Sequence, residues 1–319
     1  MLLKNVVRNI LQTRYPLLNP VYRKFQQIHK KAIGNIYMLH RVSDFEIGRL
    51  HPNENMKISP AFLEKIIIEY RKYGFDFLSL DEVYSLLKSK VKPHKPFIVF
   101  TLDDGYLDNY TIAYPIFKKY NIPFAIYVAT DFPDKKAFLW WYALEDFLLE
   151  RNVVELGTGE LLTTSTLEEK DVAFIYIRSL VLKFDKENFI EQFCKLLKFN
   201  FDLVNYVNNL AMSWDQIMEL SKDPLCTIAG HSVTHPTFNR LLEDELFLEV
   251  ENGCSRLSEY IGKSINHFAY PFGSPNEVGR REFLLMEKLG FKTIATTYPG
   301  TISINADPLC LSRMMLCEL

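Results

Sequence analysis

The chain of 319 residues is 48% hydrophobic, with 24 Phe and 17 Tyr, enough apolar material for a sizeable globular core. Its 37 Lys and Arg are balanced by 39 Asp and Glu, and the net charge of −2 gives no global electrostatic case for nucleic-acid binding. Five scattered Cys, none in CxxC spacing, form neither an even disulfide framework nor a thiolate metal site, which favours a reducing compartment.

In chain order, residues 1–43 carry eight Lys or Arg and no acid, with Leu3, Val6, Val7, Ile10 and Leu11 at helical spacing. A basic amphipathic helix is expected over 1–34, either docked on its own domain or lying on an anionic membrane surface. Lys4, Arg8 and Arg14 interrupt the apolar start, so it does not read as a secretory signal, and no run reaches the ~18 apolar residues of a membrane span. A cytoplasmic protein, peripheral at most to the inner membrane face, is the expectation.

From residue 35 the chain alternates. "NIYML" reads as a strand, and "SPAFLEKIIIEYRKYGF" as a helix with Ser59 as N-cap, Pro60 at its first position and Gly74 as its stop. "FDFLSL", "PFIVFTL", "PFAIYVAT", "LCTIAG", "INHFAY" and "FKTIAT" add six more strands, with helices expected at "DEVYSLL", about 106–119, about 239–261 and within "NEVGRREFLLMEKLG". Seven short strands alternating with helices imply parallel pairing, in an open doubly wound sheet or a closed barrel. The rhythm breaks at about 131–211, where three helical stretches flank the Gly- and Thr-rich "ELGTGELLTTST". That segment reads as a helical insertion within one domain spanning 35–319.

Strand ends carry the chemistry, because active sites of parallel α/β folds gather at the carboxyl ends of strands. His40 ends the first strand, Asp103 and Asp104 the third, His231 and His235 of "HSVTHP" the fifth, and "YPFG" (270–273) the sixth. Two adjacent carboxylates closing a buried strand repel and lose hydration, which a bound cation would offset, although taken alone Asp-Asp-Gly also reads as a turn with a helix N-cap and either His as a hydrogen-bonded core residue. One carboxylate and two imidazoles, with a position left open, match catalytic zinc-type coordination; iron, cobalt, nickel and manganese tolerate the same donors. Asp104 would then be a ligand and Asp103 a general base.

"TLDDG", "HSVTHP" and "YPFG", in this order, resemble the polysaccharide deacetylases of carbohydrate esterase family 4, the NodB-homology group, over about 35–315 outside the insertion. The resemblance implies an α/β fold, a distorted (β/α)7 barrel, with one divalent metal ion, zinc above all, held by Asp104, His231 and His235. It implies Asp103 as base and removal of N-acetyl groups from a sugar or polysaccharide intermediate. Two departures stand out: Ala269 occupies the place of the family's third-motif Arg, and no His follows His267. This pattern is similar to the circularly permuted poly-N-acetylglucosamine deacetylases, which implies His40 as the acid that protonates the departing amine. Arg313 is the candidate to replace the missing Arg beside Asp103, and the Phe272 N–H the candidate oxyanion donor. Trp140, Trp141 and Trp214 are candidates for a sugar platform as well as for helix packing. The expected partner is an N-acetylated glycan or a lipid-linked sugar. The competing functions are O-acetyl esterase, small-molecule amidase, and a glycan-binding protein that has lost turnover.

Overall fold

The computed structural model describes residues 32–201 and 204–318. The basic segment expected over 1–34 therefore lies almost wholly outside the described residues. Among those described, no helix is long and apolar enough to cross a membrane.

All seven expected strands form: β1 (Ala32–Leu39), β2 (Asp76–Phe77), β3 (Phe97–Asp104), β4 (Phe124–Val128), β5 (Cys226–Gly230), β6 (His267–Ala269) and β7 (Thr293–Ala295). Two more pieces near the chain end, β8 (Ile302–Ser303) and β9 (Met314–Met315), join the same sheet. Its order is β7-β6-β5-β4-β3-β1-β8, with β2 beside β3 and β9 beside β1. Every pairing is parallel except that of β1 with β8. The curled parallel sheet is that of the expected distorted barrel.

Closure comes from a stretch in which the sequence pattern shows no strand. Leu311 bridges Ala295 of β7 in parallel, and β9 pairs with Tyr37 and Met38 of β1, so the chain end runs as a stave between β7 and β1. Arg313 lies on that stave, 1% exposed.

Register fixes the rim. Leu39, Leu102, Ile126 and Ile228 stand in one row across β1, β3, β4 and β5. His40, Asp103, Asp104 and His231 follow that row within three residues, so β1, β3 and β5 deliver them to the same end of the barrel. All eight residues of β3 are buried, the two carboxylates included.

The helices follow their sequence signals. Ser59 caps Pro60–Lys72 by accepting from the Phe62 N–H, and Ser79 with Glu82 closes a capping box on Leu80–Ser89. Two differences are local. The helix expected at 106–119 begins as a π turn over Asn109–Ala113 and becomes α only at Tyr114–Tyr120, and the long helix starts at Glu243, after a separate 3-10 turn at Phe238–Arg240. Between β4 and β5, helices Trp140–Leu149, Leu167–Val181 and Phe189–Leu197 pack around a shared cluster that includes Phe147, Phe174, Ile177 and Phe193. The Gly- and Thr-rich connector among them is a hairpin, Val153–Glu155 against Leu161–Thr163, turning through Gly159 at φ +86°.

Candidate metal centre

Asp104 leaves β3 at φ +77°, a left-handed conformation that L side chains rarely adopt, and Gly105 continues at φ +101°. Ser232, His235 and Phe272 also sit at positive φ. Non-glycine residues in this region cost of order 1–3 kcal/mol each, and four of them gather at this rim.

The bends turn three side chains toward one another. His231 Nε2 lies 3.3 Å and His235 Nε2 3.2 Å from Asp104 Oδ1, and one donor atom from each of the three residues falls within 4.8 Å of the others. His231 Nδ1 is 2.7 Å from the Ala269 carbonyl. A carbonyl only accepts, so Nδ1 is the donor in this contact and Nε2 is the ring nitrogen turned toward the carboxylate. Asp104 Oδ1 is buried and makes no hydrogen bond among the described residues. Two imidazole nitrogens turned toward an unsatisfied carboxylate oxygen are the arrangement a divalent cation resolves, and the donor set fits one. Burial opposes ionisation of Asp104, but the field of His235, with His231 and the nearby His40, outweighs it and holds the carboxyl well below its usual range.

Beside this cluster, Asp103 is gripped from the chain-end stave. Arg313 donates from Nη1 to Oδ1 at 2.6 Å and from Nη2 to Oδ2 at 2.7 Å, a two-pronged pair with both side chains buried. The guanidinium is itself held by the Thr296 carbonyl at 2.9 Å and Thr101 Oγ1 at 3.1 Å. Burial alone would raise the Asp103 pKa; Arg313, with His231 and His40, reverses this and keeps the carboxyl ionised below its ordinary value.

His40 stands at the end of β1, its carbonyl accepting from Asn109 Nδ2 at 2.9 Å, while its own Nδ1 is buried without a partner among the described residues. Burial, with Arg313 and His231, outweighs the pull of Asp104 and Asp103, so its pKa falls below 6.5 and the neutral ring is favoured. The Phe272 ring packs 4.8 Å from that of His235, and the Phe272 carbonyl accepts from Thr297 Oγ1 at 2.7 Å. The Phe272 N–H donates to nothing among the described residues. The structure thus brings Asp103, Asp104, His231, His235 and Arg313 into one contiguous group, with His40 in their field and Phe272 against His235.

Of the three tryptophans, two border this site. Trp141 lies 6.0 Å from His235 between ring centroids, and its Nε1 donates to Tyr106 Oη at 3.1 Å. A cavity of about 580 Å³ opens from His235 and Phe272 toward Phe138, Trp140, Trp141 and Phe189 of the insertion. Trp214 packs elsewhere, stacked on Tyr260 at 3.9 Å with its Nε1 donating to Asp134. Sequence reasoning passed over Tyr106, buried directly after Asp104-Gly105, and Arg41, which donates to Asp108 at 2.7 Å and Tyr142 at 3.1 Å along the same wall. Their positions next to Asp104 and His40 were the available signal.

A parallel barrel whose rim gathers one carboxylate and two imidazoles, with a second carboxylate alongside, defines a candidate single-metal site of the β/α-barrel type. The polysaccharide deacetylase family model matches residues 177–294, the stretch that carries His231, His235 and Phe272. A putative polysaccharide deacetylase, YxkH of Bacillus subtilis (strain 168), is 38% identical over 55 residues, 17% of this chain and a fifth of that protein's length. Among solved structures, Streptococcus pyogenes deacetylase PplD in complex with acetate superposes with TM-score 0.59 at 18% identity, over 89% of this chain and 92% of that one. A de-N-acetylase from Aggregatibacter actinomycetemcomitans superposes with TM-score 0.57 at 14% identity, over 89% and 95%. The chain has the polysaccharide deacetylase fold, and the likeness expected from its three motifs is borne out.

Proposed function

We propose that this protein is a metal-dependent hydrolase that removes N-acetyl groups from an N-acetylated sugar or a polysaccharide intermediate. Asp104, His231 and His235 would hold the ion, and two imidazoles with one carboxylate suit zinc. Bound there, a divalent ion supplies Lewis acidity toward an acetyl carbonyl and makes a nearby water more acidic. The observation that carries the reading is Asp103: a buried carboxylate kept ionised by Arg313 immediately beside the ligand cluster, as a base requires.

In the proposed reaction Asp103 takes a proton from the attacking water, while Arg313 fixes the carboxylate's orientation. The Phe272 N–H donates to the carbonyl oxygen as negative charge develops on it, a contribution of about 3–4 kcal/mol for a well-placed donor. His40 hands a proton to the departing amine. Because its surroundings favour the neutral ring, that proton is the one Asp103 took from the water, relayed during turnover, which also restores the Asp103 carboxylate. Acetate and a free amino sugar leave. The aromatic cavity beyond His235 is the proposed berth for the rest of the substrate, and an N-acetylated glycan or lipid-linked sugar is the proposed class. The relatives called deacetylases support this reading through their shared fold.

Purified, zinc-loaded protein assayed for acetate release against matched N-acetylated and O-acetylated sugars tests it. Release from the N-acetylated set is expected. Release from the O-acetylated set alone points to an esterase, and none from either removes the hydrolase reading.

A further inference from the structure

The loop that carries both imidazoles, residues 231–235, makes two left-handed turns, at Ser232 (φ +68°) and His235 (φ +58°). It contains no regular secondary structure to hold these conformations. What grips it is the buried face of helix Glu243–Ile261. Glu249, 3% exposed, accepts through Oε2 from the backbone N–H groups of Val233 and Thr234, both at 2.9 Å, and through Oε1 from Thr234 Oγ1 at 2.9 Å. One turn on, Gly253 lets the helix backbone close on the same loop: a Cβ there would stand 2.9 Å from the Ser232 carbonyl carbon and oxygen. Lys186 Nζ, 2.7 Å from Glu249 Oε1, balances the buried charge.

A carboxylate that satisfies two consecutive backbone donors fixes the peptide planes between His231 and His235, and so sets the spacing of the two rings. We propose that Glu249 is a positioning residue for the metal centre, acting through the Val233 and Thr234 amides to preorganise His231 and His235 for one ion. Glutamine at this position keeps the side chain's size, yet removes the charge, leaves a single weaker oxygen for the Val233 and Thr234 amides and sets its N–H₂ against Lys186 Nζ. The inference rests on the metal-centre reading above, and part of its test does not. Amide hydrogen exchange is measured on metal-free protein, residue by residue, for the parent and Glu249→Gln; zinc affinity is then measured by titration.

Exchange at Val233 and Thr234 is expected to accelerate in the variant while amides of β3 and β4 keep the parent rates, and zinc affinity is expected to fall about 10- to 100-fold, the usual cost of losing a partner behind the ligands. Glu249→Asp, which keeps both oxygens, is expected to recover part of that affinity. Thr234→Val, which removes only the side-chain bond, is expected to cost less than Glu249→Gln. Parent-like exchange at both amides, equal acceleration throughout the barrel, or unchanged zinc affinity in a protein that binds zinc would each overturn the proposal. Faster exchange at these amides in Glu249→Gln, with a parent protein that binds no zinc, would instead sink the metal reading and leave Glu249 a loop anchor alone.

Discussion

At the carboxyl ends of the strands the protein buries Asp103, Asp104, His231 and Arg313 and holds Asp104, Ser232, His235 and Phe272 at positive φ. The helices between β4 and β5 bury Phe147, Phe174, Ile177 and Phe193 in one apolar cluster, and the helix Leu167–Val181 starts on a Thr166 capping box. In the rim, charges leave water and the backbone is strained, both of which cost stability; in the insertion, apolar area leaves water and donors are capped, both of which supply it. The comparison separates what a substitution should change. Rim variants should register in turnover or metal binding whatever they do to stability, and variants in the helices between β4 and β5 in stability alone.

The largest effect is expected at Asp103. Asp103→Asn removes the proposed base while leaving Asp104, His231 and His235 in place, so acetate release should fall about 10³-fold or more with metal content unchanged. Turnover near the parent rate would remove Asp103 from that role. Arg313→Met should cost about 3–5 kcal/mol of stability as well as activity, because it leaves a buried carboxylate without its partner. In the Asp103→Asn background the same change should cost markedly less, and a double-mutant cycle of denaturant melts measures the difference. Additive costs would mean that the pair is not coupled.

From the other side, Phe193→Ala should lower stability by about 3 kcal/mol through the cavity it opens in the insertion cluster. Zinc affinity of the folded variant should stay at the parent value. A loss of metal affinity comparable to that of a rim variant would show that the two regions are not separable in the way their construction suggests.

The same division governs how much could be read from the amino-acid order. Strands β1 to β7 were visible because parallel strands buried on both faces leave short apolar runs ended by turn residues, and the site was visible because those runs stop at Asp103, His231 and His40. β9 and the stave through Leu311 were not, since "CLSRMMLCEL" has neither alternation nor length to mark it; Arg313 drew notice only because Ala269 left an arginine unaccounted for. The hairpin at 153–163 was hidden by Gly and Thr, which suit a loop and a turn equally. Glu249 was missed although it left a signal, a charged residue adjacent to Val250 on a face otherwise lined by Leu246, Gly253 and Leu257.

Asp131 tests the boundary between the two regions with the smallest effect. It follows β4, donates its N–H to the Val233 carbonyl at 3.0 Å and borders the aromatic cavity. Burial first, then Glu249 and Asp134, push its pKa up to about 6, against the opposing pull of Lys136 and Arg256. The unfolded chain releases this proton near pH 4, so between about pH 4 and 6 the folded protein binds a proton that the unfolded one has lost. Stability contributed by this group is therefore present below about pH 4 and is lost as pH rises through 6. Asp131→Asn abolishes that loss, so it should raise the melting temperature relative to the parent at pH 8 more than at pH 5. The gain should stay under about 1 kcal/mol, because solvent screens a partly exposed carboxylate. If the gap between parent and variant is the same at both pH values, Asp131 does not titrate in this window, and the charges of Glu249 and Asp134 do not reach the strand end beyond β4.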